Sequence, residues 1–200
     1  MGTAEAARRR VRHAPTGTFF RTSDFDGPRP AVLTALSRLH SDGELVRVRN
    51  GLYWKGVSSR FGKGRPDRSA AAIALAKGRG VGPTAWSATQ VLGLSTQVPP
   101  IAELAVIGPA PKMEGVRFHT RNNTARRDLS YLEIAVLETL REFPRYAEAN
   151  LLELAKKIDA LELINRISLK KVKKVATSER SPRLRENLEA LRDLYERVAA

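Results

Sequence analysis

Hydrophobic positions near the amino terminus change period abruptly. Val32, Leu33, Leu36 and Leu39 recur at helical spacing, with Ala31, Thr34, Arg38 and Ser41 on the opposite face. A few residues later the period falls to two: Val46, Val48 and Tyr53 share one face, Arg47, Arg49 and Trp54 the other. Asn50-Gly51 divides this stretch and is a strong hairpin signal, because both residues tolerate the positive φ of a type I′ turn. A two-residue turn pairs Arg49 with Leu52, Val48 with Tyr53 and Arg47 with Trp54, so that Arg47 stacks on the indole.

The flanking residues complete a unit. Thr3 to His13, rich in Ala and Arg, predicts a helix, and Thr18-Phe19-Phe20-Arg21 a short strand. Ser23 suits the N-cap of a brief helix through Asp26. Gly27-Pro28 breaks the chain, and Pro30 stands in the first turn of the next helix, where a missing N–H costs little. That helix runs to about Asp42 and stops at Gly43. A short helix, a tight break and a second helix with a small, polar and basic outer face is the helix-turn-helix pattern, and the hairpin beside it is a wing. Thr34, Arg38 and Ser41 are then placed to read base edges in a major groove, with Arg29 on phosphate or base. Arg47 and Arg49 are placed to reach the backbone or a narrow minor groove. The alternative is a helix-hairpin unit that only packs or binds protein.

Beyond the hairpin, residues 57–66 form a Gly-rich basic linker. Gly62-Lys63-Gly64 lacks the spacing of a phosphate loop and follows no apolar strand. Asp67 to Lys77 and Thr84 to Leu92 predict helices, with Thr84 as a cap, Trp86 in the core and Gly93 as the stop. Strands are expected at 101–107 and 116–119, joined by a loop with two prolines. From Leu129 onward helices dominate, with core stripes at Leu132, Ala135, Val136, Leu140 and Phe143, at Leu151, Leu154, Ala155, Ile158 and Leu161, and at Leu184, Leu188 and Leu191. The expected fold class is α+β and mainly helical. A winged helix-turn-helix at 1–56 precedes the linker at 57–66 and a further domain at 67–200, which is α+β to about 127 and helical over 128–200.

Charge sharpens this picture. There are 35 Lys+Arg against 21 Asp+Glu, a net charge of +14. Residues 1–55 carry +5, residues 56–127 carry +8 and residues 128–200 only +1. Such an excess favours an acidic partner, with nucleic acid foremost. The cluster Lys170-Lys171-Val172-Lys173-Lys174 reads as a solvated helix face. No apolar run reaches the ~20 residues of a membrane span. The start, MGTAEAARRRVRHAP, lacks the apolar core of a signal peptide, and a cytoplasmic location is expected. Cysteine is absent. His13, His40 and His119 lack ligand spacing, with His40 expected to pack near its helix end. Asp67, Glu103 and Glu114 do not form the carboxylate cluster of a magnesium nuclease. The expectation is a protein that is not an enzyme and has no cofactor, bound metal, membrane partner or small-molecule substrate.

Residues 18–55, from "TFFRTSDF" through "VLTALSRLHSDGELVRVRNGLYW", resemble the N-terminal domain of AbiEi-type antitoxins of type IV toxin–antitoxin systems. The likeness continues in "SATQVLGLSTQVPP" at 87–100 and "RNNTARRDLSYLEIAVLETLREF" at 121–143, so that it covers about residues 15–145. It implies two roles: counteracting a neighbouring nucleotidyltransferase-like toxin, and repressing its own operon by binding promoter DNA at inverted repeats. By position it implies DNA contact at Thr34, Ser37, Arg38, Arg47, Arg49 and Asn50. The full DNA-facing set expected is therefore Arg29, Thr34, Ser37, Arg38, Ser41, Arg47, Arg49, Asn50 and Lys55. A winged-helix regulator without a toxin partner and an RNA-binding accessory protein are the rival readings. The scarcity of aromatics, 6% of residues, speaks against a base-stacking RNA surface.

Overall fold

Residues 2–59, 62–76 and 80–198 are described by a computed structural model; side chains at 58–59, 62–63 and 195–198 are not. The fold is α+β and divides into two units, 1–75 and 76–200. The segment expected as a linker and the helix after it both fall in the first unit. No helix among the described residues is long and apolar enough to cross a membrane.

The first unit opens with α1 (Thr3–His13) and β1 (Phe19–Arg21). The brief helix expected after Ser23 is instead a single 3-10 turn, Thr22–Asp24, closed by the Asp24 carboxylate accepting from the Arg21 backbone N–H at 2.7 Å. α2 (Arg29–Ser41) carries Pro30 in its first turn. It ends where Gly43 takes a φ of +74°, and the N–H of Glu44 reaches back to the Leu39 carbonyl at 2.8 Å. A left-handed residue just past the helix closes its last carbonyls in this way, and glycine does so without a Cβ penalty.

β2 (Val46–Arg49) and β3 (Leu52–Trp54) form the expected hairpin. The strand order is β1-β3-β2, all antiparallel. Two details differ from expectation. Only Gly51 takes a positive φ, +76°, whereas a type I′ turn needs one at both central residues. The ladder also shifts between Arg47 and Arg49, so Arg47 pairs with Tyr53 and Val46 with Trp54. Val48 is thus an extra residue of the kind found in a β-bulge. Trp54 consequently lies across from Val46, and its indole donates to the Gly17 carbonyl at 3.1 Å and packs against Phe19. The expected stack of Arg47 on the indole is replaced by these contacts.

Val11, Phe20, Val32, Leu36, Leu39, Leu45 and Tyr53 make the core of this unit. Within α2, Ala35 takes the inward place expected for Leu33, which is 38% exposed. His40 is exposed, not packed, although its Nδ1 meets the Leu45 carbonyl at 3.1 Å. Two two-residue strands, β4 (Ser58–Ser59) and β5 (Gly62–Lys63), pair antiparallel, and α3 (Arg68–Leu75) closes the unit. Arg60 and Phe61 lie outside the described residues, as does Lys77, the expected end of α3. The Arg21 guanidinium donates to the Ala74 carbonyl, from Nε at 2.9 Å and also from Nη2.

The second unit is built around α5 (Tyr131–Glu142), buried continuously from Glu133 to Leu140. Ser130 and Glu133 form a capping box at its start, each side chain accepting the other's backbone N–H. α4 (Ala85–Val91), α7 (Leu169–Thr177) and α8 (Pro182–Val198) pack on α5, while α6 (Leu151–Leu163) packs on α8. A three-stranded sheet joins β6 (Gly82–Pro83), β7 (Ala102–Ile107) and β8 (Val116–Arg121) in that order. β7 and β8 run parallel although only residues 108–115 connect them. Parallel neighbours usually need a longer crossover. Here the loop runs back along the sheet and turns at Met113, which bridges Val116.

Candidate nucleic-acid interface

The core-facing residues of α2 fix what its other face presents. With Val32, Ala35, Leu36 and Leu39 turned inward, Thr34, Ser37 and Ser41 stand opposite the core, and all three are exposed. Arg38 flanks them and lines a shallow groove of about 280 Å³ with Ala4, Glu5 and Arg8 of α1. Arg29 is exposed at the start of the helix. Along β2 burial alternates, with Arg47 and Arg49 exposed and Val46 and Val48 half-buried. Asn50, at the tip, is exposed too.

Ion pairing divides the cations of this unit into two groups. Arg12 pairs with Glu44 at 3.2 Å, and Arg8 approaches Asp42 at 3.9 Å. The first pair holds α1 to the end of α2, and the Glu44 hydrogen bond and charge push the Arg12 pKa up. Arg10 lies over the Phe25 ring, 5.1 Å from its centroid. By contrast, Arg29, Arg38 and Arg47 have no carboxylate partner among the described residues. Positive charge exposed without internal compensation attracts polyanions and repels other cations.

Lys55 does not join that surface. Its ammonium donates to the carbonyls of Val11, Arg12 and Ala14 at 2.9, 2.8 and 2.7 Å. It closes the carboxyl end of α1, where helix carbonyls otherwise lack partners and a cation is favoured by the dipole. One position past the strand, sequence periodicity does not show that Lys55 turns inward.

The second unit contains a charged cluster that hydrophobic patterning passed over. Arg126 is fully buried and donates to Glu138 from Nη1 and to Glu179 from Nε, the latter at 2.6 Å. Arg121 adds bonds to both Glu138 oxygens at 2.9 and 2.6 Å, and Arg141 donates to Glu179 at 2.8 Å. Thr84, expected only as a helix cap, donates its hydroxyl to Glu138 at 2.6 Å. Burial alone would push Glu138 up. The Arg121 hydrogen bond, the charges of Arg126 and Arg121, and the Thr84 hydroxyl outweigh it and hold the carboxyl at about 2. One signal for this cluster was present: Glu138 stands three and four residues after Ala135 and Ile134, on the apolar stripe of α5.

Among solved structures the chain is similar to the RV2827C protein from Mycobacterium tuberculosis, with a TM-score of 0.46 and 14% identity over 96% of this chain and 76% of that one. No curated protein matches it. Residues 7–130 match the model of a family of unknown function, DUF6088.

Proposed function

The chain belongs to the DUF6088 family, and for it we propose duplex DNA binding through α2 and the β2–β3 hairpin, in the service of repressing its own promoter. The observations that carry this reading are that Arg29, Arg38 and Arg47 are exposed without a carboxylate partner among the described residues, and that Thr34, Ser37 and Ser41 form an exposed polar face on α2. The element order α1–β1–α2–β2–β3, with β3 between β1 and β2, supports reading the unit as a winged helix with α2 as recognition helix. Arg49 and Asn50 at the hairpin tip then lie toward backbone or minor groove.

The reading extends, on the resemblance of residues 18–55, 87–100 and 121–143 alone, to an antitoxin that counteracts a nucleotidyltransferase-like toxin encoded beside it. The two parts are tested separately. A gel-shift titration of the full chain on its upstream duplex should give affinity that falls steeply with salt, as phosphate contacts require. Arg38→Ala and Arg47→Ala should weaken it; unchanged affinity of the double variant at matched salt overturns the DNA-binding assignment. Co-expression with the neighbouring gene should restore growth that the neighbour alone arrests. Failure of rescue removes the antitoxin role and leaves the regulator.

A further inference from the structure

The second unit holds a concavity that DNA binding by the first does not use. A cleft of about 490 Å³ opens between the end of β8, the segment after it, α5 and the turn joining α7 to α8. Arg121, Arg141 and Arg180 line it, with Asn122, Thr124 and Glu179 among them.

Its charge is not balanced from within. Four guanidinium groups, Arg121, Arg126, Arg141 and Arg180, stand at the cleft and its wall against the carboxylates of Glu138 and Glu179. Each oxygen of those carboxylates already accepts a hydrogen bond from Arg121, Arg126 or Arg141. Glu142 acts on Arg121 only through its more distant charge. Arg141 uses one nitrogen on Glu179 and has further N–H groups to offer. Arg180 is exposed and has no carboxylate partner among the described residues. With Glu142 counted, four guanidinium groups stand against three carboxylates, and the surplus is one positive charge open to an anion.

The cleft is also held in shape. Arg141 is fixed by Glu179, and Glu179 is fixed in turn by buried Arg126 and by the Asn123 amide at 3.0 Å. Donors held in place before a ligand arrives lose little freedom on binding. Forked guanidinium donors together with amide and hydroxyl groups match the several oxygens of a phosphate, and the volume lies in the range of small-molecule sites. We infer that this cleft binds a phosphate-bearing small molecule of di- or triphosphate size, with Arg180 and Arg141 as its principal contacts.

Isothermal titration of the full chain with pyrophosphate, at fixed ionic strength, tests this. Saturable binding is expected, with sulfate, which offers fewer oxygens, binding more weakly and chloride giving none. Arg180→Glu should weaken it about tenfold or more, the worth of one charge-assisted bond, while circular dichroism stays unchanged because Arg180 is exposed. Lys174→Ala, an exposed cation outside the cleft, should bind as the parent does. A nucleoside triphosphate arm separates a ligand held by its phosphates alone from one whose base adds affinity. No saturable binding of pyrophosphate or the triphosphate, or full retention in Arg180→Glu, overturns the inference. Arg38→Ala and Arg47→Ala should leave pyrophosphate binding intact, so this proposal and the DNA reading fail independently.

Discussion

Arg126 and Glu138 meet in an ion pair in which neither side chain reaches solvent. The pair joins the 3-10 segment at 124–128 to the middle of α5, and through Glu179 it also reaches the turn before α8. Desolvating such charges is costly, and only their hydrogen bonds and mutual attraction offset it. Arg126 Nη2 remains without a partner among the described residues, so the offset is incomplete.

Removing one member should therefore cost more than a surface pair is worth. Glu138→Gln leaves the buried Arg126 with one carboxylate instead of two. A loss of about 3–5 kcal/mol is expected in urea unfolding followed by circular dichroism. Lys156→Ala, which removes an exposed pair with Glu153, should change stability by about 0.5 kcal/mol or less.

Acid should weaken the second unit through the same group. The folded carboxyl of Glu138 is held at about 2, below its ordinary 4.5, so its contribution is present above 4.5 and is lost as pH falls from there toward 2. Glu179 is shifted the same way: burial opposes the shift, while the Arg126 hydrogen bond and charge outweigh it. The thermal midpoint should fall over that acid range, and Glu138→Gln should flatten the fall.

Lys55 and Arg47 should separate cleanly. Lys55→Met removes three charge-assisted bonds from the end of α1 and should destabilise the first unit by about 1.5–3 kcal/mol. Its DNA affinity, measured while folded, should keep the parent salt slope. Arg47→Ala should change stability by about 0.5 kcal/mol or less while reducing the salt slope by about one.

Gly82 is required for space. A Cβ there would stand 2.5 Å from Ile134 Cβ and 2.6 Å from its Cγ2, on the central helix. Gly82→Ala should destabilise by about 1–3 kcal/mol, the usual range for overpacking, measured by chemical denaturation.

α1, α2, α3 and the strands β1 to β3 of the first unit were legible because their signals are local, whereas the β4–β5 pair falls in the segment expected as a linker. α1 follows from its Ala-Arg run, α2 from Pro30 and Gly43, and the hairpin from Asn50-Gly51. The bulge at Val48 was not, since alternation of side chains does not reveal which strand carries an extra residue. Leu33 and Ala35 exchanged places because helical spacing defines a stripe and not its edges. The exposure of Thr34, Arg38, Ser41 and Arg47 followed from the apolar positions around them, while Ser37 came from the resemblance. The inward turn of Lys55 depends on where α1 ends relative to β3, a distance no local pattern contains. The Arg126–Glu138–Glu179 cluster joins residues 12 and 53 positions apart, so only the lone Glu in the α5 stripe hinted at it.

The clasp of Arg21 on the Ala74 carbonyl bears on how the amino-terminal lobe can be isolated. β1 is an edge strand, and α3 is tied back to it across more than fifty residues of chain. A fragment trimmed at the Gly-rich segment would shed that anchor together with the helix carrying it. The lobe that keeps this anchor extends to residue 75, and limited proteolysis should leave its trimmed end there or later.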